Sequence, residues 1–212
     1  MDGSMYHTGK IKTGNKHLNY NNMIEPIKLS KIQPGYLLFL NGKSFLAKRI
    51  KWFQKLKYGK DSYYFLNHVG FFDNYIDGCL LVYEQDQPGR FQPSPFDEEY
   101  LANKEDVYIG IPKCDLKNFA NLREDAEVLA GADVLLNYSY KSFLSFMADA
   151  ISFKLFKKDC WLTGEPTGST CSQITAKLYQ KYFSLFLQKK WYKWFPCEIA
   201  QSNEIEIRKL IY

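Results

Sequence analysis

The chain has 212 residues, 46% of them hydrophobic and 17% aromatic, and a formal net charge of +5. Such a composition suits one globular core and excludes a disordered or collagen-like chain. The positive charge comes almost wholly from lysine, with arginine only at Arg49, Arg90, Arg123 and Arg208; phosphate forks and base edges favour arginine, so no nucleic-acid partner is expected.

No run of about 18 uncharged apolar residues occurs, and the first 22 residues are polar, so neither a membrane span nor a secretory signal is expected. The expected location is cytoplasmic or virion-associated, and the abundance of Lys, Asn, Ile, Tyr and Phe fits an AT-rich viral, phage or low-GC bacterial genome. Cys79, Cys114, Cys160, Cys171 and Cys197 are odd in number, widely spaced and form no C-x-x-C pair. That argues against a disulfide framework and a zinc site, and no metal or other cofactor is expected.

Residues 1–30 lack periodicity and read as an N-terminal arm, with residues 31–212 as a single domain. His7 and His17 lie in this arm and read as solvated. After the turn at Pro34-Gly35, the apolar run Tyr36–Leu40 predicts a buried strand. Ser44 then caps a predicted helix reaching about Tyr58, packed on the sheet with a basic face of Lys48, Arg49, Lys51, Lys55 and Lys57. The alternative for that face is contact with anionic lipid.

The segment from Asn67-His68 to Phe72 predicts a second strand, closed by Asp73-Asn74, and Leu80–Glu84 a third, hairpin-paired with it. Alternation sets Val82 and Glu84 on one face, so Glu84 ends a strand on an otherwise apolar side and can meet His68. A carboxylate there can orient an imidazole. Residues 85–103, with Pro88, Pro93 and Pro95, read as a long loop. A fourth strand is expected over 106–112, helices over 116–130 and from about residue 143 to the lysines at 154–158, and a last strand over 204–208. The aromatic segment Trp191–Phe195 is expected to cover the core, with a membrane or partner surface as its alternative.

From Ser172 to Lys190 apolar residues recur at helical spacing, which sets Cys171 at a helix start. The N–H groups and dipole of such a terminus favour a thiolate, the nucleophilic form of cysteine. A buried, inert cysteine is the alternative on these grounds alone.

The order Pro34-Gly35-Tyr36-Leu37-Leu38, Asn67-His68-Val69-Gly70-Phe71, Val82-Tyr83-Glu84, Tyr138-Ser139-Tyr140 and Thr170-Cys171-Ser172-Gln173 resembles the circularly permuted papain-like hydrolases of the NlpC superfamily. The likeness is to the YiiX-like amidohydrolases, and distantly to lecithin:retinol acyltransferases. It spans about residues 33–186. The resemblance implies an α+β fold, an antiparallel sheet packed against helices, in which Cys171 is the nucleophile, His68 the general base and acid, and Glu84 the residue orienting His68. It also implies that the Cys171 N–H helps hold the oxyanion and that Tyr140 and Ser172 lie at the substrate. Asn67, Gln173 and Gln85 depart from the family's usual residues. The implied activity is cleavage of a peptide, isopeptide or N-acyl amide bond through a thioester. Acyl transfer or thioester cleavage at a membrane surface, and a non-catalytic structural or virion-associated protein that keeps the fold, are the alternatives.

Overall fold

The structure, a computed structural model, describes residues 24–60, 62–85, 91–96, 106–131, 140–158, 160, 162 and 169–211, with residue 140 described in its backbone only. Seven strands form one sheet: β1 (Pro26–Lys28), β2 (Leu37–Leu40), β3 (His68–Ile76), β4 (Cys79–Gln85), β5 (Phe91–Pro95), β6 (Val107–Pro112) and β7 (Ile205–Ile211). Their order is β1-β7-β6-β2-β3-β4-β5. All neighbours are antiparallel except β1 and β7. Among the described residues there are five α-helices: α1 (Phe45–Tyr58), α2 (Phe119–Gly131), α3 (Tyr140–Phe156), α4 (Cys171–Phe183) and α5 (Pro196–Gln201). The class is therefore α+β, as expected. None of these helices is long and apolar enough to cross a membrane.

Strand alternation divides the apolar residues between two faces. Leu37, Phe39, Val69, Phe71, Tyr83 and Tyr108 face α2 and α4, which contribute Phe119, Leu122, Ile174, Leu178 and Tyr179. Tyr179 is fully buried and donates its hydroxyl proton to the Gly35 carbonyl at 2.8 Å, fixing α4 to the turn before β2. The opposite face, with Leu38, Leu40, Phe72, Val82 and Ile109, is covered among the described residues by Ile32, Phe96 and the partly buried Ile27, Leu29 and Tyr36. Burial of side chains of this size contributes about 1.5–3 kcal/mol each.

Several boundaries differ from the sequence reading, each for a physical reason. Pro26–Lys28, read as part of an arm, pairs with Lys209–Ile211 as strand β1. β3 does not stop at Asp73 but continues to Ile76 through an irregularity between Phe72 and Tyr75 that absorbs the polar pair. Phe91–Pro95, read as loop, is edge strand β5, where a proline's missing N–H is harmless. α4 ends at Phe183 instead of near Lys190, because Ser184 adopts a left-handed conformation (φ 55°) that stops it. Ser44 caps α1 as expected, accepting from the Ala47 N–H at 3.1 Å. That helix, however, packs chiefly on α3 and not on the sheet. Lys57 leaves the predicted basic face: it is buried in an ion pair with Asp149 of α3. His7, His17, Arg90 and the segment Tyr138-Ser139 lie outside the described residues.

Candidate active site

β2 and β3 meet in a register that sets Leu40 opposite His68. The residue before it is fixed at both ends, since the Asn67 N–H donates to the Leu40 carbonyl at 3.0 Å and Asn67 Oδ1 accepts from the Gly42 N–H at 2.7 Å. On the other side, Phe71 pairs with Tyr83 and Phe72 with Val82. Continuing this register puts Gly70 opposite Glu84 and His68 on the adjacent diagonal. A Cβ on Gly70 would stand 2.6 Å from the Tyr83 carbonyl oxygen and 3.2 Å from Glu84 Cβ. The missing side chain thus leaves β4 room to bring its carboxylate to the imidazole. His68 Nε2 lies 2.7 Å from Glu84 Oε2, with 15% of the histidine side chain and 3% of the glutamate side chain exposed.

Cys171 is the first residue of α4, and Thr170 is its N-cap in extended conformation. The Thr170 N–H donates to Gln173 Oε1 at 2.9 Å, while Gln173 Nε2 donates to the Tyr192 carbonyl at 2.7 Å. Gln173 is fully buried and needs both an acceptor and a donor, a pair of roles a carboxylate cannot fill. The Ser172 hydroxyl donates to the Trp194 carbonyl at 2.7 Å, and Ser169 donates to Gln85 Oε1 at 2.8 Å. The helix start is therefore fastened to the end of β4, beside Glu84, and to the segment before α5. Gln173 and Gln85 are both parts of this fastening.

The Cys171 sulfur lies near enough to the His68 imidazole to act on its proton through charge and hydrogen bonding. With Nε2 engaged by Glu84, Nδ1 is the ring nitrogen left for the sulfur. Burial acts to lower the His68 pKa, but the negative charge and hydrogen bond of Cys171, followed by the hydrogen bond and charge of Glu84, more than reverse it and raise it to about 10. These effects favour the protonated form of the ring between the sulfur and the carboxylate. The remaining cysteines lie in other settings. Burial pushes the Cys197 and Cys114 thiols up, towards the inert protonated form, Cys79 is exposed and Cys160 partly buried.

Of the five residues singled out from the sequence, the structure brings together Cys171, His68 and Glu84. Ser172 is at the site, but its hydroxyl is committed to Trp194. Tyr140 opens α3, and its side chain lies outside the described residues. The sequence reading did not identify the cleft beside the sulfur. Asn67, Thr170, Cys171 and Ser172 line one side of it, and Ile50, Phe53, Phe143, Phe146, Phe195 and Pro196 the rest. The periodic apolar residues of α1 and α3 were a signal for it, though not for which helices would face each other.

No protein-family model matches the chain, and no curated protein matches it. Among solved structures it is similar to the crystal structure of metalloprotein yiiX from Escherichia coli O157:H7, at 13% identity and a TM-score of 0.52, over 84% of this chain and 96% of that one. At this identity the likeness is one of fold. Among the described residues of the present chain, no group of three or more His, Cys, Asp or Glu side chains could hold a metal ion. His68 Nε2 faces Glu84 and is engaged by it. The donor set does not fit a metal centre.

Proposed function

We propose that the chain is a cysteine hydrolase of circularly permuted papain-like fold that cleaves an amide bond, whether peptide, isopeptide or N-acyl. The observation that carries this reading is His68 held by Glu84 at 2.7 Å and electrostatically coupled to Cys171 at the start of α4. The thiolate sulfur attacks the substrate carbonyl carbon, and the carbonyl π electrons move onto oxygen, which the N–H groups at the start of α4 are placed to receive. The C–N bond then breaks as the amine takes a proton from His68 Nδ1, leaving a thioester on Cys171. Water, deprotonated by His68, attacks the thioester, releasing the carboxylic acid and restoring the thiolate–imidazolium pair. Glu84 holds the ring in orientation and stabilises its charge throughout.

Labelling with iodoacetamide followed by peptide mass spectrometry tests the pair. Cys171 is expected to react faster than exposed Cys79, and His68→Ala to remove that advantage. Equal rates at the two cysteines in the unmodified protein would overturn the reading. A Cys171→Ala protein that keeps its full biological effect would instead favour a non-catalytic protein retaining the fold.

A second reading, action at a membrane surface, has an observation of its own. Phe45 and Trp52 of α1 and Leu144, Ile151, Leu155 and Phe156 of α3 are exposed on adjoining helices that also bear Lys48, Arg49, Lys55 and Lys154. Exposed aromatics among lysines suit an anionic bilayer. Co-sedimentation with phosphatidylserine vesicles should then weaken on Trp52→Ser and with added salt. No sedimentation at low salt would dismiss it. Lys57, counted with this basic face on sequence grounds, takes no part, being buried against Asp149.

A further inference from the structure

We infer that the cleft beside Cys171 is the subsite for the acyl half of the substrate, that it takes an apolar acyl group, and that the Asn67 side-chain amide holds the reacting carbonyl oxygen. The inference rests on the hydrolase reading and adds the substrate class.

Three observations support it. First, the cleft is lined by Ile50, Phe53, Phe143, Phe146 and Phe195, and no charged residue lines it among the described residues. A charged acyl group would leave water with nothing to pair with it, whereas each apolar carbon gains from burial. Second, Ile50 and Phe143 are only half-buried, so the cleft opens outward between α1 and α3 and is not an internal packing gap. Third, Asn67 lines the same cleft with its amide direction fixed. Oδ1 is occupied by the Gly42 N–H, which leaves the NH2 group as the free end, and no described residue accepts from it. Asn67 is only 6% exposed, so its amide is a donor held in one orientation at the cleft that Cys171 also lines. That is what stabilising charge on a carbonyl oxygen requires.

The Cys171 sulfur–carbon bond forms and the carbonyl oxygen gains the electron pair, donated to by Asn67 Nδ2 and the Cys171 N–H. The bond to the leaving group then breaks, and that group departs with its pair. An amine departs with the His68 proton, while an activated phenolate needs none.

The test uses p-nitrophenyl esters of acetate, butanoate, hexanoate and succinate, following both p-nitrophenolate release and the mass of the acylated Cys171 peptide. Each rate is divided by the ester's own hydroxide rate. Two buried methylenes at about 0.8 kcal/mol each predict butanoate over acetate by about fifteenfold, with succinate slowest. Ile50→Trp narrows the cleft and should collapse the butanoate-to-acetate ratio; because the reading is a ratio, partial loss of folded protein cancels. Asn67→Asp keeps an oxygen for Gly42 but removes the donor. It should lower acylation relative to iodoacetamide alkylation, which develops no oxyanion, by about 10²–10³-fold.

Acylation of Cys171 at equal rates by all four esters, or a ratio untouched by Ile50→Trp, overturns the apolar subsite while leaving the nucleophile in place. No acylation by any ester overturns the hydrolase reading, and the subsite with it. An Asn67→Asp protein whose acylation and alkylation change together removes Asn67 from the carbonyl. The ester of N-acetylphenylalanine separates the two sources of an apolar acyl group: faster than hexanoate, it marks a peptide residue, and slower, a fatty acyl chain.

Discussion

Replacing Cys171 by serine keeps the size of the side chain nearly constant and removes the charge facing His68. Cys171 supplies the largest of the effects that raise the His68 pKa to about 10 from an ordinary 6.5, and burial opposes them. Two opposite charges at about 4 Å with an effective dielectric constant of about 20 attract by about 4 kcal/mol. At about 1.4 kcal/mol per pKa unit, this corresponds to about three units. In the Cys171→Ser protein the ring should therefore titrate about three units lower, near the value of a free histidine, with Glu84 left to balance burial. The sign follows for stability. A histidine whose folded pKa is raised contributes stability that is complete below pH 6.5 and is lost as pH rises through about 10. The unmodified protein should thus lose this contribution over that window, and the serine variant should show little change across it. Nitrogen-15 chemical shifts of the imidazole, followed from pH 5 to 11 in both proteins, measure the titration, and urea midpoints at pH 7 and 10 measure the stability. Identical His68 titrations in the two proteins would refute the argument, because the ring would then not sense the sulfur.

Glu84→Gln removes a buried charge-assisted hydrogen bond of 2.7 Å, worth about 1.5–3 kcal/mol. The pH at which His68 loses its proton should fall, as read by the same imidazole shifts. Gly70→Ala drives a methyl group against the Tyr83 carbonyl and Glu84. It should cost about 1–3 kcal/mol in denaturant unfolding and slow Cys171 alkylation, although residue 70 does not touch the thiol. Gln173→Glu sets a carboxylate against the Tyr192 carbonyl in a fully buried place and should cost about 1–3 kcal/mol, seen as a lower urea midpoint that recovers in part at acid pH. Lys57→Met strands the buried Asp149 carboxylate at about 3–5 kcal/mol. The double variant with Asp149→Leu should be more stable than Lys57→Met alone.

Much of this site could be read from the chain because its geometry is local. Glu84 stood out as a charge ending an apolar strand sixteen positions after His68, and the 3.6-residue period after Ser172 put Cys171 at a helix start. Where tertiary context outweighed a local signal, the reading failed. Pro93 and Pro95 argued for a loop, yet an edge strand tolerates them. No helix was expected at α5, where Pro196 occupies the first turn and its missing N–H costs nothing. Lys57 carried no sign that Asp149, 92 positions later, would draw it inside. Asn67 drew notice only as a departure from a pattern, since a side chain's pairing with a distant backbone N–H leaves no periodic trace.

The sulfur and the imidazole come from distant parts of the sequence. His68 and Glu84 are 16 positions apart on a hairpin that can close early, whereas Cys171 reaches them only when α4 settles onto β3. Contacts of long sequence separation carry the larger loop-closure cost and form late. A nascent or partly opened chain therefore carries its thiol without the imidazolium beside it. On the proposed chemistry, the thiol gains its imidazole partner only once α4 packs on β3, and a local opening of α4 would silence it before the sheet comes apart.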